Sequence, residues 1–127
     1  MVPDGYMYTE DHLWVSRMDD RTVKVGITAY RVERPGEMVF VELPEVGEEV
    51  PAGDEMGEVE ATMSTVSIHA PLDGEVLAVN DVLDAQSELV NSNPFSEGWF
   101  VELRPNDPAS VTGLLDAAGY TELISRG

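Results

Sequence analysis

The chain breaks its apolar residues into short runs, and turn formers close most of them. Segments rich in strand formers lie at residues 22–28, 37–43, 48–50, 56–61, 66–70, 74–79 and 99–103. Between them stand Glu45-Val46-Gly47, Ala52-Gly53-Asp54, Leu72-Asp73-Gly74 and Val79-Asn80-Asp81. Strands this short and this often interrupted pack as a β-barrel or a sandwich. The segment at 47–54 is faintly echoed at 74–81, as though two half-sheets were built alike.

Helical signals are few. Residues 29–34 predict one or two turns of helix, which Pro35-Gly36 stops. In the tail, Asp107 suits an N-cap and Pro108 the first helical position. Val111, Leu114 and Leu115 recur at helical spacing, Gly119 is the expected C-cap, and Leu123 and Ile124 pack a last turn. The tail is expected to cover an open end of the barrel. The predicted layout is a single domain over 1–127, with a β core at about 8–104 and a helical tail at about 107–125.

Composition narrows the function. Twenty-five acids face 7 bases, for a net charge of −18, and there is no cysteine. Phosphate backbones require clustered Lys and Arg, so nucleic acid is excluded as a partner, and anionic membranes with it. Without cysteine there is no disulfide framework and no thiolate chemistry. No apolar run approaches the ~18 residues of a membrane span. The opening Met1–Glu10 lacks a basic region followed by an apolar one, so the expectation is a soluble cytoplasmic protein.

Chemistry-bearing patterns are scarce. His12 precedes Leu13-Trp14 in an early strand, and His69 ends a later one. Glu58, Glu60 and His69 could be drawn together as metal ligands, but alternating acids on a strand are more often simply solvated. No phosphate loop and no nucleophile elbow is present. Trp14, Phe40, Phe95, Trp99 and Phe100 are expected in the core of so small a domain.

Several motifs in order across nearly the whole chain carry a family resemblance. Tyr8-Thr9 leads to His12-Leu13-Trp14; Val25-Gly26-Ile27-Thr28 follows, with Tyr30 after it. Gly36-Glu37-Met38-Val39-Phe40-Val41-Glu42-Leu43-Pro44, Gly57-Glu58-Val59-Glu60, Ala70-Pro71, Gly74-Glu75-Val76 and Val79-Asn80 come next. Glu88-Leu89-Val90-Asn91, Asn93-Pro94-Phe95 and Gly98-Trp99 complete the set. The chain resembles the H proteins of the glycine cleavage system. The resemblance implies a mainly β fold, a barrel-sandwich hybrid of two half-sheets like the lipoyl and biotinyl domains, with short helices and a helical C-terminal tail. It implies a carrier without its own catalysis. In the family, a lipoyl arm on a hairpin-tip lysine takes an aminomethyl group from the P protein and visits the T and L proteins.

The resemblance fails where the arm attaches. Glu60-Ala61-Thr62-Met63-Ser64-Thr65 puts Met63 at the position of the lipoyl-lysine. Lipoylation forms an amide and requires an amine, which a thioether does not supply. Lys24, the only lysine, lies in a predicted strand. No cofactor is therefore expected. Leu13 replaces the acid of the family's His-Glu-Trp, and that acid resembles a group that meets the loaded arm. Ala29 stands where an Asp usually follows Ile-Thr, and Arg31-Val32 where the family has Ala-Gln. Three explanations compete: a natural non-lipoylated homologue that binds or regulates, a carrier changed from lysine to methionine, and a decayed paralogue. Met63 as a plain turn residue is the simplest reading of its side chain. The expected partners are proteins, among them the P, T and L proteins or a lipoylation enzyme. The acidity suits either docking onto basic patches or solubility in high salt.

Overall fold

The computed structural model describes residues 2–19, 21–34 and 36–126. Pro35, part of the predicted helix stop, lies outside them. The strands are β1 (Met7–Tyr8), β2 (Leu13–Arg17), β3 (Val23–Ile27), β4 (Met38–Glu42), β5 (Glu49–Val50), β6 (Glu55–Ala61), β7 (Thr65–His69), β8 (Gly74–Val79) and β9 (Val101–Pro105). They form a six-stranded sheet in the order β1-β2-β3-β9-β8-β5 and a three-stranded sheet in the order β4-β6-β7. The described pairings between these strands are antiparallel. The fold is mainly β in two sheets with few short helices, as the resemblance implies. The sheets are unequal, however, and the two echoed segments are neighbours rather than separate halves. Glu49 pairs with Glu75 and Val50 with Gly74 in one sheet.

One core joins both sheets. Leu13, Val15, Val23, Val25 and Ile27 of the larger sheet pack in one cluster with Val41, Val59 and Ile68 of the smaller. β-Branched residues at alternate positions of β3 and β7 supply the inward face, as a half-buried strand requires. In β6 the buried residues Met56 and Val59 are three apart, because the register with β7 shifts between Glu55 and Gly57. A bulge of this kind resets which face a side chain meets.

Trp14 lies between Leu13 and Val15 and so faces away from that core, into a second cluster with Tyr8 and Tyr120. Gly26 sits opposite Trp14 across β2 and β3. A Cβ at position 26 would come within 2.6 Å of the indole, so the Gly in Val25-Gly26-Ile27 is there to seat the tryptophan. The indole N–H donates to the Pro94 carbonyl at 2.7 Å.

The tail departs from its predicted form. Residues Pro108–Gly113 are a 3₁₀ helix, with the Ala109 N–H donating to Asp107 as the cap reading anticipated. The chain then extends, and Leu115 exchanges two backbone hydrogen bonds with Tyr8, at 2.7 and 2.9 Å. Helix α3 (Ala117–Arg126) starts only after that, capped by Asp116, which accepts from the Gly119 N–H at 2.8 Å. Gly119 is thus inside a helix and is no C-cap, since the break it was assigned falls earlier, at Gly113-Leu114. The tail covers the far face of β1 and β2 instead of an open end, because that is where Tyr8 and Trp14 need burying. The other short helices are α1 (Ala29–Val32), capped by Thr28, α2 (Leu89–Ser92), and a 3₁₀ turn at Asp81–Asp84.

Candidate functional site

The β6–β7 hairpin projects Thr62, Met63 and Ser64 as its tip. Glu60 pairs with Thr65, and the Ala61 N–H donates to the Ser64 carbonyl at 2.9 Å, which closes the turn. The tip rests on a second segment: the Thr62 N–H donates to the Glu37 carbonyl at 3.0 Å. Gly36, at φ 93°, makes this approach possible, since a Cβ there would lie 2.3 Å from the Thr62 hydroxyl. Asn91 of α2 secures that support. Its side-chain oxygen accepts from the Met38 N–H at 2.9 Å and its amide donates to the Gly36 carbonyl at 3.4 Å. The asparagine of Glu88-Leu89-Val90-Asn91 is therefore a brace under the hairpin. Asn80 ties down a different segment, donating to the Glu97 and Trp99 carbonyls at 2.9 Å each.

Of the residues singled out in the hairpin, Met63 is 77% exposed, while Ala61 is buried at its base. Glu60, Thr62, Ser64 and Thr65 are exposed around it. A tip so presented would display a covalent arm, but its side chain is a thioether with no amine to acylate. Lys24 does not substitute for it. It sits within β3, opposite Ser16 and Glu102, with its ammonium 4.7 Å from the centre of the Trp99 ring. A lipoyl group therefore does not fit the residues this chain offers at the tip.

Strand register separates the three residues considered as metal ligands. His69 pairs with Glu55, whereas Glu58 and Glu60 pair with Ser67 and Thr65. Among the described residues, no group of three or more His, Asp or Glu is placed to hold a metal ion. Phe40 also corrects the reading of the aromatics. It is 52% exposed, beside Val39 at 54%, whereas Trp14 and Phe100 are buried. The register of β4 against β6 shifts between Met38 and Phe40, which turns Phe40 outward opposite Glu60. Phe95 and Trp99 are only half-buried.

Beside the hairpin lies a cleft of about 440 Å³ between the loop ending at His12, the α1 region and β7. His12 occupies a bend at φ 67° and leads into β2, so it stands just outside the predicted strand. Its Nδ1 is 2.8 Å from the Tyr120 hydroxyl, which is in turn 2.7 Å from the Thr28 hydroxyl. Burial lowers the His12 pKa from its ordinary value, and the nearby Arg31 and Arg34 charges lower it further, against a smaller opposing effect of Asp11. Burial raises the Tyr120 pKa, and burial with neighbouring Tyr6 and Tyr120 raises Tyr8 to about 12. Both phenols thus stay neutral through the physiological range. Sequence reading did not find Tyr120, whose partner His12 is 108 residues away. Leu13, where the resemblance implies an acid, is in the core and offers nothing to the cleft.

A family profile described as "Glycine cleavage H-protein" matches residues 6–127. A glycine cleavage system H protein of Shewanella sp. (strain ANA-3) is 45% identical over 123 residues, covering 97% of this chain and 95% of its own. One from Mycolicibacterium smegmatis is 46% identical over 127 residues, covering 98% and 97%. In structure, the chain is similar to a crystallised glycine cleavage system H protein from Mycobacterium marinum. The TM-score is 0.88 at 36% identity, covering 98% of this chain and 99% of that one.

Proposed function

The chain belongs to the glycine cleavage H-protein family, and from that premise we propose that it is a carrier-type component of glycine cleavage whose attachment position is held by Met63 instead of lysine. The family carries lipoate and does not catalyse alone, so this chain is no enzyme. The likeness to working carriers runs the whole length of the chain, and that favours the aminomethyl-carrier scaffold over a separate regulatory role. No step of arm chemistry is assigned to the chain as it stands. What its residues do is present the tip: Thr62 binds Glu37, Asn91 holds the segment beneath, and Met63 is offered to solvent.

Restoring the amine tests this reading. The chain and its Met63→Lys variant, each expressed with a lipoylating system, are compared by intact mass. The expected result is no added group on the chain and one lipoyl group on the variant. A lipoyl group on the unaltered chain would overturn the assignment of Met63. An unmodified variant would mean that the tip is not presented as a carrier presents it.

A second reading is a non-lipoylated homologue that docks on proteins of the system, or on a lipoylation enzyme, without an arm. Leu13, Ala29 and Arg31 support it, because a change of lysine alone leaves them unexplained. Calorimetric titration against the P, T and L proteins and lipoate ligase discriminates. Binding with no mass change favours docking without an arm; absence of binding to all four counts against it. The setting proposed for either reading is the cytoplasm. No helix among the described residues is long and apolar enough to cross a membrane.

A further inference from the structure

We propose that the cleft beside the hairpin tip binds a small anion, a carboxylate or a phosphate, through the guanidinium groups of Arg31 and Arg34. Its volume of about 440 Å³ lies within the range of small-ligand pockets, about 300–1,000 Å³. In a chain with 25 acids and 7 bases, two arginines on one cleft wall match the two acids of its lining, so the cleft escapes the acidic excess of the molecule. Among the described residues the ion pairs are Arg104 with Glu75 and Arg126 with Glu122. Arg31 and Arg34 have no such partner, although Glu10 and Asp11 lie on the same cleft.

Arg34 is also held in place. Its guanidinium stacks 3.4 Å from the centre of the Tyr30 ring, and its Nη1 donates to the Tyr30 carbonyl at 2.6 Å. A guanidinium carries five N–H donors, so this leaves donors for a carboxylate or phosphate oxygen. Thr65 and Ser67, on the β7 wall, add hydroxyls to the lining. The local field agrees. Burial is the main reason the His12 pKa is lowered, and after it come Arg31 and Arg34, each lowering it more than Asp11 raises it. The burial of Leu13 leaves the cleft without a carboxylate at that position.

The test is a titration of the full chain with inorganic phosphate and, separately, with sodium acetate. Ionic strength is held constant, because exposed charges are screened over about 10 Å at 0.1 M salt. The guanidinium Nε–H signals are followed by NMR. The expected result is a saturable shift at Arg31 and Arg34, absent at Arg104, with affinity at least tenfold weaker in the Arg31→Gln, Arg34→Gln double variant. A tighter response to phosphate identifies a phosphate ligand, and an equal or tighter response to acetate a carboxylate. A response that does not saturate, that is equal at Arg104, or that survives in the double variant overturns the proposal. Circular dichroism melts check that the double variant folds. If it does not, Arg34→Gln alone, at an exposed side chain, makes the same test. The result is independent of whether Met63→Lys accepts lipoate.

Discussion

Trp14 and Met63 are two large apolar side chains with opposite fates, 1% exposed against 77%. Trp14, Tyr8 and Tyr120 are enclosed, with half-buried Tyr6, Phe95 and Trp99 at their margin. Tyr8 stacks on Tyr120 with ring centres 4.7 Å apart, Tyr6 stacks on Trp14 at 5.2 Å, and each polar tip has a bond. The Tyr6 hydroxyl donates to the Phe95 carbonyl, the Tyr8 hydroxyl to the Pro3 carbonyl and the indole to the Pro94 carbonyl. Around Met63 the side chains are open, and only the backbone is held. The difference separates two tasks. The aromatic face sets stability through packing and satisfied polar groups. The hairpin face sets presentation, where side-chain identity can change at little cost to the fold. The family's shape is therefore compatible with a methionine at the tip.

Breaking the enclosed face should give the largest effect. Trp14→Ala is expected to destabilise by about 3–5 kcal/mol, read as a lower urea midpoint. If the loss is under about 1 kcal/mol, Trp14 does not organise that face. Tyr120→Phe should cost less, about 1–2 kcal/mol, since it removes a hydroxyl shared by His12 and Thr28 but keeps the ring. The same urea titration reads it, and a neutral result would mean that water replaces the hydroxyl. Met63→Ala should lie within about 0.5 kcal/mol of the parent chain. A larger loss would show the tip to be part of the core, and the contrast would fail.

The sequence made the strands legible because β-branched runs bounded by Gly and Pro carry the signal locally. The hairpin tip was legible for the same reason, with Met63 located by its place in a motif. β1 was not legible, since its two residues form a strand only by pairing with Leu115 and β2. Phe40 was misread because a strand pattern cannot reveal a bulge, and the bulge in β4 decides which way the ring points. Tyr120 was hidden by distance: a tyrosine on a short tail helix gives no sign that it will bond His12. The glycine and asparagine motifs were visible as letters, but their purpose at Gly26, Asn80 and Asn91 is a matter of contacts.

The open edge of β4 carries one more consequence. An edge strand with outward apolar side chains is a template on which other chains can add. Here Val39 and Phe40 stand on such an edge. The bulge between Met38 and Phe40 breaks the straight run of unpaired backbone groups, and Glu42 and Glu60 flank the ring. The acidity thus acts as a colloidal brake, keeping molecules apart by mutual repulsion. That repulsion falls away towards the isoelectric point that the sequence gives, near pH 4.1.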